Sequence, residues 1–276
     1  MKSKVLLNAI IGDICGSIYE FHPIKEKPRD LLDSRCYFTD DTVHTIAIAE
    51  AILNNPDDPD FSRYLRDWSR RYPRAGYGGM MRGWIWDNNA GPYGSYGNGS
   101  AMRVSACGYL HPIVDESGIT CFLSPLVEKS ASVTHNHSEG IKGAKIVAGS
   151  ISESIYRIKL GLDPKNMIVA RMEKEFYPDY DLSISLDERR PTYKWSSTCQ
   201  GSVPESIQCV LEADSYEDAI KLAISMGGDA DTMACIAGSI AGVIWEKSDE
   251  LVDFAYKKLP KEMIEVIEKF DDYILI

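Results

Sequence analysis

Apolar residues recur along this chain at intervals of three and four, the repeat that gathers them on one face of an α-helix. The spacing predicts helices over 42–53, 61–71, 138–160, 203–212, 216–225 and 232–245. Pro164, Pro191, Pro204 and Pro260 stand where helices are expected to begin, a position at which proline gives up only an amide that has no partner anyway. Strict alternation of apolar and polar residues is nearly absent, and 181–186 (DLSISL) is the best strand candidate. The expected class is all-α. No low-complexity tract, repeat or linker divides the chain, so 1–276 is expected to form a single domain.

Two of these helices open unusually. Thr39-Asp40-Asp41-Thr42 leads into VHTIAIAEAIL, and Gly227-Gly228-Asp229-Ala230-Asp231-Thr232 leads into MACIAGSIAGVIW. A helix that is apolar on nearly every side is a buried one, so its first turn is expected to be partly buried with it. Asp and Thr are good N-caps, and one carboxylate at each helix start would need nothing more. Paired carboxylates near a core repel one another and are costly to desolvate unless a cation or strong donors compensate. Lys and Arg are absent for several residues around both clusters. Carboxylates with threonine hydroxyls form an all-oxygen set suited to Mg2+, Mn2+ or Ca2+ rather than to zinc.

A third element, GDICGSIYE over 12–20, reads as an early apolar helix bearing two acids, Asp13 and Glu20. Gly12 and Gly16, four apart, suit a close helix–helix approach. Asp13 reads as a buried hydrogen-bond acceptor. Glu20, at the end of the run before Phe21-His22-Pro23, can face a cleft and donate a proton. From Gly76 to Gly99 the chain is rich in glycine and aromatic residues, too aromatic for disorder, and reads as a ligand-cradling loop.

Charge and composition narrow the functions. With 30 Lys+Arg against 41 Asp+Glu the net charge is −11, which argues against general nucleic-acid or anionic-membrane binding but leaves room for a small anion met locally by metals and backbone amides. The seven cysteines are odd in number and show no CxxC spacing, as expected of an intracellular protein. The N-terminal apolar run is short, holds Asn8 and lacks an Ala-x-Ala cleavage site, so it reads as a helix rather than a signal peptide, and no stretch approaches a membrane span. A cytoplasmic location is expected.

Six ordered pieces, GDICGSIYE (12–20), TDDT (39–42), GSYGNGSAMR (94–103), TH (134–135), SVPESI (202–207) and GGDADT (227–232), span most of the chain. Together they resemble the ADP-ribosylhydrolase, or ADP-ribosylglycohydrolase, family, which includes the dinitrogenase-reductase-activating glycohydrolases. The resemblance implies an orthogonal all-α domain with a binuclear metal cleft. It implies two divalent cations, Mg2+ or Mn2+, held by Thr39, Asp40, Asp41, Asp229, Asp231 and Thr232, with Asp41 and Asp229 also serving catalysis. Glu20 would be the glutamate near the scissile bond, as general acid or as a gate. Gly94, Ser95 and Tyr96 would hold the pyrophosphate and nearby sugar, Gly78 would border them, Asn98 and Gly99 would shape the loop, and His135 would touch substrate.

An HxH metal pair of His135 with His137 is a second reading of that segment, although no further histidine lies near to complete a zinc site. The implied reaction is hydrolysis of the glycosidic bond between ADP-ribose and an acceptor, an arginine- or serine-linked protein side chain or a small molecule. Alternatives are a hydrolase of O-acetyl-ADP-ribose or of ADP-ribosylated nucleic acid, and a non-catalytic relative. His22-Pro23, Trp84-Ile85-Trp86 and residues 163–200 match no family motif, and would shape the acceptor side of the pocket.

Overall fold

The computed structural model describes residues 4–110, 125–176 and 178–274. These fold into helices, in order α1 (Leu6–Gly16), α2 (Asp40–Asn54), α3 (Phe61–Arg71), α4 (Gly79–Trp86), α5 (Gly99–Met102), α6 (Ser105–Tyr109), α7 (Pro125–Ser132) and α8 (Ser138–Lys159). They continue as α9 (Lys165–Phe176), α10 (Leu186–Arg189), α11 (Cys199–Glu212), α12 (Tyr216–Ser225), α13 (Ala230–Ile244), α14 (Asp249–Lys258) and α15 (Lys261–Ile274). Among the described residues strand pairing is limited to one isolated antiparallel bridge, Gly97 with Thr198, so the class is all-α. None of the described helices is long and apolar enough to cross a membrane. Six cysteines are free and buried; Cys121 lies outside the described residues.

At the centre α1 and α13 lie antiparallel with their backbones nearly touching. A Cβ on Gly12 would sit 2.0 Å from the Ala234 carbonyl oxygen, and one on Gly16 would sit 2.5 Å from that of Ala230. From the other side, a Cβ on Gly238 would meet the Asn8 carbonyl oxygen at 2.4 Å. Every residue of α1 is buried, as is every residue of α13 from Ala230 to Ala241, which is how a helix apolar on all sides must sit. Around this pair pack α2, α12 and α11, while α8 runs against α5, α6, α7, α9, α11 and α13. The antiparallel pairing brings the end of α1 and the start of α13 to the same place, and the start of α2 joins them there.

Several sequence expectations are corrected. The 12–20 helix ends at Gly16, with Ser17 as its C-cap, so Glu20 stands in the turns beyond it. The alternation at 181–186 is turn and cap chemistry. Asp181 accepts from the Ser183 amide, and Ser185 forms a capping box with Glu188 that starts α10. Pro164 and Pro260 do precede helices, whereas Pro191 follows α10 and Pro204 lies inside α11, which the Thr198 cap starts earlier. The glycine-rich stretch from Gly76 to Gly99 is divided by α4. Arg66 and Arg70 of α3 hold that helix by donating to the carbonyl oxygens of Trp84 (3.2 Å) and Ile85 (2.6 Å), which gives the Trp84–Trp86 segment a structural place.

The α1–α13 contact yields a stability test. Gly12→Val is expected to cost about 3 kcal/mol or more, because its side chain must displace backbone. Gly83→Ala, in α4 with nothing within 4 Å of its Cβ position, is expected to be neutral or to stabilise by up to about 1 kcal/mol. Urea denaturation checks both, and equal effects would contradict the close packing.

Candidate functional site

Six carboxylates gather where α1, α2 and α13 meet. Asp13, fully buried on α1, is bound from α2: it accepts from the Thr39 amide (3.0 Å) and hydroxyl (2.7 Å) and from the Thr42 amide (3.0 Å) and hydroxyl (2.5 Å). Thr39 is the N-cap of α2, so these bonds fix the direction in which Asp40 and Asp41 leave the helix start. Asp41 Oδ2 accepts from the Thr232 hydroxyl of α13 at 3.3 Å, while Asp41 Oδ1 is buried with no partner. Asp229 Oδ2 accepts from the Asn98 side chain at 2.7 Å, and Asn98 also donates to Ser202.

Two groups of carboxylate oxygens lie within 4.8 Å of one another, Asp13 with Asp41 and Asp231, and Glu20 with Asp229 and Asp231. Asp231 belongs to both. Asp40 stands outside these groups but lines the same cavity.

The electrostatics are unfavourable without a cation. Burial pushes Asp41 and Asp231 well above the usual carboxylate range, and the neighbouring charges that act on them are those of other acids. Burial likewise raises Asp40, with Asp231 and Asp13 adding to it. Asp229 is pushed up to about 6 by burial and by Glu20 and Asp40, against hydrogen bonds with Asp231 and Asn98. Glu20 is pushed up to about 8 by burial, then by the charges of Asp231 and Asp13. The positive ends of α2 and α13 offset part of this, each by the fraction of a charge a helix start supplies. An orphaned carboxylate oxygen and an all-oxygen donor set fit a hard divalent cation.

The cavity these acids border has a volume of about 640 Å³. Of the residues singled out in the sequence, Glu20, Asp40, Asp41, Asp229, Asp231 and Thr232 line its acidic side. Gly78, Gly94, Ser95, Tyr96, Asn98, Gly99 and His135 line the rest. Thr39 is not in the wall; its hydroxyl gives its hydrogen to Asp13 and keeps its oxygen lone pairs. Gly94 has φ +66°, a conformation that favours glycine, and a Cβ on Gly94 or Gly78 would meet nothing within 4 Å, so both keep the wall open. Gly94, Gly97 and Asn98 donate their amides to Asn136, Ser95 Oγ and the Ser197 carbonyl oxygen. The Ser95 and Tyr96 amides make no such bond among the described residues.

Other wall residues carried no sequence signal strong enough to single them out. His44 follows Asp40 by one helical turn, and that spacing was the available sign. Arg103 and Trp195 also line the cavity, and Trp195 brings the unmatched 163–200 segment to its mouth. The HxH reading fails. His135 Nδ1 bonds the Thr134 hydroxyl, His137 caps α8, and neither joins a carboxylate group.

The comparisons with known proteins agree with this geometry. The sequence signature described as ADP-ribosylglycohydrolase matches residues 4–274, and the chain belongs to that family. It is 26% identical to human (Homo sapiens) ADP-ribosylhydrolase ARH3, over 87% of this chain and 84% of that protein. It is 24% identical to ADP-ribosylarginine hydrolase Tri1 of Pseudomonas putida (strain GB-1), over 87% of this chain and 69% of that protein. A solved structure of an ADP-ribosylglycohydrolase-related protein complex shares its fold, with a TM-score of 0.64, 20% identity and coverage of 99% of this chain and 95% of that one.

A carboxyl that binds its proton more tightly folded than unfolded contributes stability at low pH that is lost as pH rises through the folded value. Glu20 and Asp229 place that loss between about pH 4 and about pH 8 in metal-free protein. In EDTA the denaturation midpoint is therefore expected to fall across this window, and saturating Mg2+ or Mn2+ to flatten the fall. A midpoint in EDTA that rises across the window would contradict the cluster's electrostatics.

Proposed function

We propose that this family member is a hydrolase that cleaves the glycosidic bond joining ADP-ribose to a protein side chain, and that it works with two divalent cations, Mg2+ or Mn2+. The observation that carries the reading is the pair of carboxylate groups sharing Asp231 on one side of a cavity whose other side is the glycine loop 94–99.

Thr39, Asp40, Asp41, Asp229, Asp231 and Thr232 are the residues that would hold the cations. Asp13 is already saturated by four donors and acts by holding Thr39 and Thr42 in place. When bound, the cations supply the positive charge that offsets the acids and holds ribose hydroxyls. The free amides of Ser95 and Tyr96 are donors for the diphosphate, so a chain of net charge −11 needs few Lys or Arg there.

Glu20 is half-buried, and in the metal-free site burial, then the charges of Asp231 and Asp13, push it up to about 8; with cations on Asp231 burial would remain to hold its proton. Its carboxyl is the group suited to protonate the departing acceptor atom as the glycosidic bond breaks; water then adds at the anomeric carbon of the oxocarbenium-like state and gives its extra proton back to the Glu20 carboxylate, leaving free ADP-ribose. The half-exposed rings of Tyr96 and Trp195 border the cavity where an acceptor would enter.

Release of free ADP-ribose from arginine-linked and serine-linked peptides, each with Mg2+ and with EDTA, tests the reading. Metal-dependent release from at least one peptide is expected. Glu20→Gln is expected to lower kcat by about 100-fold or more with little change in KM, and Asp41→Ala to remove the metal-dependent rate. Full activity in EDTA would refute the cation requirement. Failure to release or to bind ADP-ribose would refute the function.

A further inference from the structure

We propose that Arg103 and Thr134 act as positioning residues that fix His135 in the tautomer protonated at Nε2, so that the ring presents an N–H to the cavity. Arg103, 1% exposed, follows α5 and donates through Nη2 to the Ser130 carbonyl oxygen at 2.9 Å and to Thr134 Oγ1 at 2.8 Å. A guanidinium offers only donors, and although burial lowers Arg103 to about 10 it stays charged at neutral pH. Thr134 Oγ1 must therefore accept from it.

The same oxygen lies 2.7 Å from His135 Nδ1. With one lone pair filled by the cation, the hydroxyl hydrogen goes to the better of its two acceptors, and a bare Nδ1 is the better one. The opposite tautomer would load the second lone pair with an N–H beside the cationic one and send the hydroxyl hydrogen to Tyr93. The competing acceptor for the Thr134 hydrogen is the Tyr93 hydroxyl, a weaker base than the imidazole nitrogen. Burial, then the Arg103 charge, holds His135 well below its usual range, so the ring carries one proton and carries it on Nε2.

That nitrogen makes no hydrogen bond among the described residues. It lies 3.1 Å from where a Cβ on Gly99 would stand, beside the 94–99 loop on the cavity wall. An imidazole N–H there is a neutral donor for an anionic oxygen, the diphosphate if the reading above holds, and it costs the site no added charge.

Long-range 1H–15N spectra of histidine-labelled protein show which ring nitrogen bears the proton, with or without substrate. His135 is expected to be protonated at Nε2 in the wild type. Thr134→Val is expected to populate the Nδ1-protonated form and to weaken ADP-ribose binding about tenfold, and Thr134→Ser to restore both. A wild-type proton on Nδ1, or a tautomer unchanged in Thr134→Val, would overturn the relay. If Thr134→Val does not fold, the wild-type and Thr134→Ser spectra decide. A wild type that shows the expected tautomer but does not bind ADP-ribose would refute the proposed function and leave the relay standing.

Discussion

The carboxylate of Asp13 ties together the parts of the molecule on which the site depends. It is buried on α1, and four donors from Thr39 and Thr42 hold it to the start of α2. Glycines at 12 and 16 in turn lay α1 against α13 at backbone distance. Hydrogen bonds to a charged acceptor are worth more than neutral ones, about 1.5–3 kcal/mol each, and here they oppose the desolvation of a buried acid that burial still holds above its usual range. The consequence is geometric: the acids at the start of α2 and those at the start of α13 cannot move apart without breaking either the threonine bonds or the helix contact.

That rigidity creates the electrostatic problem the site is built around. Asp41, Asp231 and Asp229 are held near one another and near Glu20, with two helix starts to relieve the repulsion and an orphaned oxygen on Asp41. Protonation relieves it at low pH and a divalent cation would relieve it at neutral pH, so the stability of the metal-free protein and any metal affinity would be two readings of one cluster. On the opposite side, the Ser95–Tyr96 segment and the imidazole of His135 line the cavity, and in the proposed reading they would meet the ligand without adding carboxylates to the site.

Much of this was legible in the residues. The all-apolar bodies of 42–53 and 232–245 announced buried helices, and the acids at their starts announced a buried charged site. Gly12 and Gly16 announced the close contact, although its partner on α13 is a matter of tertiary pairing that spacing cannot supply. Less legible was whatever depends on which atoms a side chain spends internally. Asp13 reads as a buried acceptor in the sequence, but that its donors are Thr39 and Thr42 of another helix appears only in the fold. Asn98 looks like a loop-shaping residue, and its side chain bonds Asp229. The segment 163–200 matched nothing because its place is set by contacts made far along the chain. Tyr193 donates to the Gly201 carbonyl oxygen at 2.5 Å and accepts Lys25 on its own carbonyl at 2.7 Å, and these fix the path that carries Trp195 to the cavity.

The most direct measurement is a titration of the metal-free protein with Mn2+, following free Mn2+ by electron paramagnetic resonance, in the wild type and in Asp231→Asn. Since Asp231 belongs to both carboxylate groups, the wild type should bind two cations per chain and the variant should lose or greatly weaken both sites. No binding by the wild type, or a variant that binds as the wild type does, would contradict the claim that the shared carboxylate cluster is a cation site.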